Sequence, residues 1–600
     1  MIGPHSPEHL ETPLTDAAVV RTALARILAS ACFRHSEAQA RLLRFAVEET
    51  LAGRRCKLKK TPGHNLRARL AEYYSGEGLH DPVRIHLPKD GSAPVFSSVA
   101  PPAPPVASRA ARRLWRWIPL AVVAAIPIGW AGSWWHAWAA SAEVRSMVVL
   151  PFVDTSPQKS DEWFCDGITQ DLIDALARVP DLHVVARTSA YAFKDKAGDI
   201  RKIGQQLGVA AVIEGRVRKA GDQLHITVQM NRASDGYHLW AESFDRPAQD
   251  VFAIQQVIAD AIVSRIHART VKHPPHRHRP PEQAYSAYRQ GRYFLSRAGP
   301  QDLDKAVERL EESTHIDAEF ALAWAWLSIA RESRVADGLA RPNQAMPASR
   351  DAAERAVALD PDCGEAHLAL GIVKLQYDWD WAGAKAELDR ALQVIPGSAF
   401  ALQWRARWLE TQGRMDEAIS EMQRSVALDP LSGATLGDLA GQYLSINQPE
   451  RALPLAQRAA DLDPDDPASR AAQAELPFLA GQKDQSSRIM MELRNSPAGA
   501  KVPPWELAYL AAQQGDPDDA RQLLEQAEDL PEDQMLPAVV YARLAGAVQD
   551  WDRFFSWIEE AYGERDVQLP YLRWSPIMPK SDPRYADFLS RMNLPAAPAK

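Results

Sequence analysis

Cysteine is scarce in this 600-residue chain: Cys32, Cys56, Cys165 and Cys363 stand far apart, and no Cys-x-x-Cys pair occurs. That spacing argues against a thiolate metal cluster and against a disulfide framework, and leaves isolated thiols acting as small apolar side chains. A Gly-rich phosphate loop, a Gly-x-Ser-x-Gly elbow and a His-Glu-x-x-His helix are all missing, so the familiar routes to phosphate chemistry, serine hydrolysis and zinc proteolysis are closed. From these absences no enzyme is expected, with no cofactor and no metal. A strong overall charge is lacking too. Sixty-nine Lys and Arg against 77 Asp and Glu leave a net charge of −8. The balance is uneven, because residues 21–70 hold 12 basic against 3 acidic side chains, and the rest of the chain must carry −17. One basic module on an acidic chain predicts an anionic partner for that module alone.

Long apolar runs are also rare, with one exception. From Trp117 to Ala142 no Asp, Glu, Lys or Arg occurs, a length that crosses about 30 Å of hydrocarbon as a helix. Tryptophans mark both ends, and Arg109, Arg112, Arg113 and Arg116 crowd the N-terminal flank. The pattern predicts a transmembrane helix over 117–140, with residues before it cytoplasmic and the bulk of the chain periplasmic. The expected location is therefore a bacterial inner membrane, crossed once.

What is abundant is a period. Pro361, Pro396, Pro430 and Pro464 follow Leu-Asp or Val-Ile at spacings of 35, 34 and 34 residues. Ala384, Ala418 and Ala452 each stand twelve residues before a proline, and Ala306 keeps the same distance to Ala318. A small residue lets two antiparallel helices cross closely, and the proline starts the turn to the next pair. These positions resemble tetratricopeptide repeats, clear over 300–465 and degenerate after, within an array over 283–600 of about seven repeats. The resemblance implies a helical solenoid holding protein or peptide partners. Trp404, Arg405, Arg407 and Trp408 share the first helix of one repeat. They are candidates to line a partner groove, or the tryptophans pack between repeats.

Residues 145–270 alternate strand and helix patterns. Val149-Leu150-Pro151-Phe152, Asp166-Gly167-Ile168-Thr169, Arg187-Thr188-Ser189, Ile213-Glu214-Gly215 and Trp240-Ala241-Glu242-Ser243-Phe244-Asp245 resemble, in order and spacing, the TolB-like domain of bacterial envelope and regulatory proteins. A small mixed α/β domain is implied, without a particular ligand. Asp161, Glu162, Asp166 and Asp171 cluster, and Asp166 and Asp171 read as acids at a helix start. Proteins with such a second half are sometimes fused to a nucleotide cyclase domain, of which no pattern appears here. His/Pro-rich residues 271–282 read as a linker, as do Pro-rich and basic residues 98–116.

Residues 15–97 read as helices over 21–31 and 36–51, a short basic helix around 65–74, and a hairpin about Lys89-Asp90-Gly91-Ser92. A basic helix followed by a hairpin ends a winged helix, and the module resembles the DNA-binding part of ToxR-type membrane-anchored regulators. By that resemblance Arg67 and Arg69 would reach bases or phosphates, and Arg84 and Lys89 would touch the backbone. The sequence departs from the family between Lys60 and His64, where some twenty-five residues are missing, and in lacking an aromatic at Ser92-Ala93. The fold class expected is multidomain, α and α/β: a basic winged-helix-like module, one transmembrane helix, a TolB-like α/β domain and a tetratricopeptide α-solenoid. Two functions stay open. One is a single-pass one-component signalling protein and transcription regulator, with DNA, membrane, protein and a second copy of the chain as partners. The other is an envelope interaction scaffold with a degenerate, non-DNA-binding N-terminus.

Overall fold

The computed structural model describes parts of residues 11–99, and residues 144–595 other than 157–161, 197, 221–222, 248–250, 267–277, 298, 465–466, 496–501, 528–534 and 576–577. Two compact units emerge, residues 1–132 and 133–600.

In the first unit, helices α1 (Ala17–Ala29) and α2 (Glu37–Leu51) accompany strands β1 (Glu11–Pro13), β2 (Val83–His86) and β3 (Val95–Val99). The strands form an antiparallel sheet in the order β1-β3-β2. Ile85 faces Phe96 in the expected hairpin, whereas the pairing of Glu11 with Val99 was not foreseen. Val20, Leu24 and Ile27 of α1 meet Leu43 and Val47 of α2 at spacings of three and four residues, with Ile85 and Phe96 from the sheet. Tyr73 donates to Asp81 at 2.7 Å, and the Tyr74 hydroxyl accepts from the Ile85 amide at 2.7 Å.

The second unit begins with a mixed sheet. Strands β4 (Ser146–Val149), β5 (Val153–Asp154), β6 (His183–Val184), β7 (Ala211–Ala220), β8 (Gln223–Arg232) and β9 (His238–Pro247) order as β6-β4-β7-β8-β9, with β5 also on β7. β4 runs parallel to β6 and β7, and β7-β8-β9 are antiparallel ribbons of ten residues each. The strand β4 is almost wholly apolar because parallel strands are covered on both faces. Helices α3 (Glu162–Ala177), α4 (Arg187–Tyr191), α5 (Ile200–Leu207) and α6 (Val251–Arg265) complete the domain. Asp199 caps α5 through the Arg201 amide, and Gly208 ends it at φ 67°.

The array follows as helix pairs. These are α7 (Glu282–Leu295) with α8 (Pro300–Ile316), α9 (Ala321–Ala336) with α10 (Pro342–Leu359), and α11 (Gly364–Val373) with α12 (Trp381–Val394). Next come α13 (Ala399–Thr411) with α14 (Met415–Leu428), α15 (Gly433–Ser445) with α16 (Pro449–Leu462), and α17 (Pro467–Leu479) with α18 (Lys483–Asn495). Then follow α19 (Pro504–Gln513) with α20 (Asp518–Ala527), α21 (Ala538–Ala547) with α22 (Trp551–Glu564), a 3-10 turn Leu569–Trp574 and α23 (Pro583–Arg591). Among the described residues, eight pairs stand where about seven were expected. Ala306, Ala384, Ala418 and Ala452 are fully buried, as the close crossings require. The same logic puts Gly371 on α11, where an added Cβ would come within 2.9 Å of Leu388.

The expected transmembrane helix over 117–140 falls outside the described residues, and among those described no helix is long and apolar enough to cross a membrane. The fold class is corrected accordingly, to a mostly helical chain with a tetratricopeptide-like solenoid and a mixed α/β domain. The inner-membrane location and its orientation rested on that span alone. A second correction concerns α3. It starts at Glu162, so Asp166 and Asp171, expected as acids at a helix start, lie inside the helix and are not its caps.

Candidate functional site

The α/β domain is bolted to the array along the first helices of its repeats. Asp171 and Asp174 on α3 and Arg178 just past its end recur at three and four residues, and on α7 Tyr285, Arg289 and Arg292 do the same. The two faces meet as a charge ladder. Asp171 accepts from Arg289, from Tyr285 and, at 2.5 Å, from Gln255, while Asp174 takes Arg292 at 2.6 Å. Arg178 reaches on to Glu365 of α11 at 3.0 Å. Arg289 keeps only 4% of its side chain exposed, so its pairing with Asp171 is what makes its burial tolerable. Burial pushes the Asp174 carboxyl above the usual range, against the pull of Arg292.

A second contact is made of hydrogen bonds. Asp429, from the Leu-Asp-Pro turn before α15, accepts from the Ser189 amide at 3.0 Å and its hydroxyl at 2.5 Å. The Ser189 hydroxyl in turn accepts from the Leu431 amide at 2.8 Å, and the Ala186 amide donates to the Leu428 carbonyl at 2.8 Å. Among the described residues Asp429 meets hydroxyl and amide donors and no cation, and burial raises its carboxyl. Gly397 brings its amide to the Ala177 carbonyl at 2.9 Å, and a Cβ there would collide with the same oxygen.

Between these contacts lies a cavity of about 380 Å³, bordered by α3, α4 and the first helices α7, α9, α11, α13 and α15. That volume suits a small ligand or a few residues of peptide. Trp326 carries the Arg292 guanidinium 3.9 Å from its ring and lies nearly parallel to Phe400, at 6.5 Å and 14°. Gln170 Oε1, Arg289 Nε and Trp326 Nε1, all on cavity residues, have no hydrogen-bond partner among the described residues.

The same first helices carry a polar row beyond the cavity. Ser333 and Gln403 line the cavity, and their neighbours Glu332 and Trp404 belong to the row. Gln376 donates to Glu332 at 3.2 Å, Gln403 and Arg407 to Asp438 at 2.5 and 3.0 Å, and Gln442 to Glu410 at 3.4 Å. Burial pushes the Glu332 and Glu410 carboxyls up to about 7, with Arg407 opposing both shifts.

The four residues expected in a partner groove divide. Trp404 and Trp408 are buried, with the Trp408 indole donating to the Trp381 carbonyl at 2.8 Å. Arg407 is held by Asp438, and Arg405 is partly exposed between Asp389 and Glu421. Of the four basic residues expected at DNA, Arg67 and Lys89 lie outside the described residues, and Arg69 is half-buried. Arg84, on β2, lays its guanidinium 5.5 Å from the Tyr74 ring centre. Sequence reasoning missed the α3–α7 ladder. Its signal was there: acids at 171 and 174 and arginines at 289 and 292 share one helical spacing.

The comparisons with known proteins fit this division. A family model described as HilA/YgeH-like transcriptional regulator, second domain, matches residues 143–261, and one described as tetratricopeptide repeat matches residues 409–476. The chain carries a HilA/YgeH-like regulator domain and tetratricopeptide repeats. A curated relative, "Putative adenylate cyclase 3" of Rhizobium meliloti (strain 1021), is 36% identical over 188 residues, 31% of this chain and 32% of that protein. The chain thus matches about a third of the relative's length. Its name is that of an enzyme, so the expectation that this chain is no enzyme is withdrawn. Among solved structures, a thermophilic tetratricopeptide protein of Thermus thermophilus is 19% identical with a TM-score of 0.28, over 32% of this chain and 99% of that one. The human IFIT1 dimer with PPP-AAAA is 14% identical with a TM-score of 0.36, over 52% and 79%. At these scores neither places any residue of the site.

Proposed function

We propose that this chain is a regulator-like protein whose tetratricopeptide array holds a protein partner and whose HilA/YgeH-like domain responds to that partner. The observation that carries the reading is the ladder of Asp171–Arg289, Asp174–Arg292 and Arg178–Glu365. It ties the regulator-like domain to the helices that also border the cavity and carry the polar row. An occupant of those helices therefore bears directly on the domain. Transcription control through the basic N-terminal module is the finer form of the proposal, supported by its 12 basic against 3 acidic residues over 21–70. Titration of the full chain against double-stranded DNA at two salt concentrations tests it. Salt-sensitive binding, weakened by Arg67→Ala with Arg69→Ala, is expected, because phosphate contacts release counterions. Binding that ignores salt and both substitutions, or no binding, leaves an interaction scaffold in its place. The match to a putative adenylate cyclase favours a second reading, in which the shared stretch serves a catalytic protein. Formation of cyclic AMP from ATP by the full chain, measured against a heat-inactivated control, decides it.

A further inference from the structure

The array's polar row is already covered, by the chain's own C-terminal segment. Arg573, 1% exposed, donates to the Thr411 carbonyl at 3.0 Å and to the Pro595 carbonyl at 2.8 Å. The Trp574 indole donates to the Glu410 carbonyl at 3.2 Å, at the end of the same helix α13. The Trp381 indole donates to the Met592 carbonyl at 2.9 Å, and Arg565 sits 4.5 Å over the Trp379 ring. Helix ends leave carbonyls without an intrahelical donor, and here the returning segment supplies side-chain donors to them.

The chemistry beneath the segment is lopsided. The first helices contribute Glu332, Glu410 and Asp438 against Arg407. The segment answers with Arg573 and with the Tyr571 hydroxyl, which lies in the field of all four. The answer is incomplete. Among the described residues Arg573 forms no ion pair, and Gln376 Oε1, Trp404 Nε1, Gln442 Oε1, Tyr571 Oη and Arg573 Nε are buried without a hydrogen-bond partner. A buried polar group left unpaired is a cost that a better-matched occupant removes.

We propose that residues 565–575 are an internal occupant of the array's partner groove, and that the partner displacing them is a basic peptide segment pairing arginine or lysine with a neighbouring aromatic residue. The proposal rests on the reading of the array as a protein-binding element. The internal sequence Tyr571-Leu572-Arg573-Trp574 is the template. Its guanidinium and indole caps act on main-chain carbonyls, and the acidic excess of the groove selects the charge.

A labelled, end-capped synthetic peptide of residues 567–575, which carries Arg573 and no acidic side chain, titrated against the full chain, tests it. Wild type should bind weakly, because the internal copy competes. Trp574→Ala should bind at least tenfold more tightly, and the peptide carrying Arg573→Glu should not bind it. Equal affinity of wild type and variant, or binding of the Arg573→Glu peptide, overturns the proposal. If Trp574→Ala loses its cooperative melt, Arg573→Lys replaces it under the same criteria. Hydrogen exchange of wild type gives a second reading: residues 565–575 should exchange faster than α13, and equal protection counts against the proposal. The broader reading fails separately. If the opened variant binds an acidic or neutral peptide and no basic one, only the present inference falls. If it binds no peptide of any charge, the protein-binding array falls as well.

Discussion

The two lids on the first-helix face are built differently. Where the regulator-like domain covers it, Asp171, Asp174 and Glu365 each meet an arginine, and the Asp429–Ser189 contact adds directed hydrogen bonds. Where the C-terminal segment covers it, the buried Arg573 meets carbonyls and, among the described residues, no carboxylate, over an acidic row. Charges matched one to one make a contact that is costly to break, because each partner left behind is buried alone. A contact made to main-chain carbonyls, with Val567, Leu569 and Leu572 packed beside it, lets go without stranding a charge, although its apolar side chains must then leave the core. The first lid is a fixed joint, and the second is a replaceable cover.

This contrast can be broken at several points. Arg289→Ala strands Asp171 beside the buried Tyr285, and should cost about 3–5 kcal/mol in denaturant unfolding of the full chain. A loss below about 1 kcal/mol would mean the joint is no firmer than the cover. Asp429→Ala removes the acceptor of the Ser189 amide and hydroxyl and should cost about 2 kcal/mol, the range of bonds to a charged group. Asp429→Asn, which keeps one acceptor, should recover part of it. The pH response belongs to the cover. Glu332 and Glu410 hold protons up to about 7 in the covered state, against 4.5 for a free carboxyl. The covered form therefore binds more protons than the opened one, and covering weakens as pH rises from about 4.5 to 7 and levels off above. Arg407, Asp337 and Gln376 face the first carboxyl, and Arg407, Gln442, Asp438 and Arg573 face the second. Screening in the opened seam reduces the effect to about tenfold in opening, or about 1.4 kcal/mol. Hydrogen exchange of residues 565–575, corrected for intrinsic rate, measures it, and Glu332→Gln with Glu410→Gln should flatten the profile. Trp574→Ala should have the smallest effect on global unfolding, within about 1 kcal/mol of wild type, because the cover opens locally while the rest stays folded. A fall as large as that of Arg289→Ala would make the two lids equivalent.

Much of the fold was legible because it is written in local periods. The prolines 34 apart and the alanines twelve before them locate the repeats, since each residue answers to neighbours within one helix pair. The long β7–β8 ribbon showed in its alternation around Ala220-Gly221-Asp222. The site was less legible. Asp171 reads as an acid near a helix start until α7, more than a hundred residues on, presents Arg289. Trp404 and Trp408 sit on one helix as a groove pair would, yet the neighbouring repeats close over both. Whether the array's end returns to its middle repeats depends on small rotations summed over many repeats, which no single repeat records.

The contact between Arg573 and Thr411 spans 162 residues of chain. A ribosome adding about 5–20 residues per second needs about 8–30 s to bridge that interval. The repeats can pack pair by pair during that time, since their contacts are local. The cover cannot, because it has not been made. Every newly synthesised molecule thus passes through a period with its acidic row bare, and a partner already present in the cell meets the groove before its internal competitor exists.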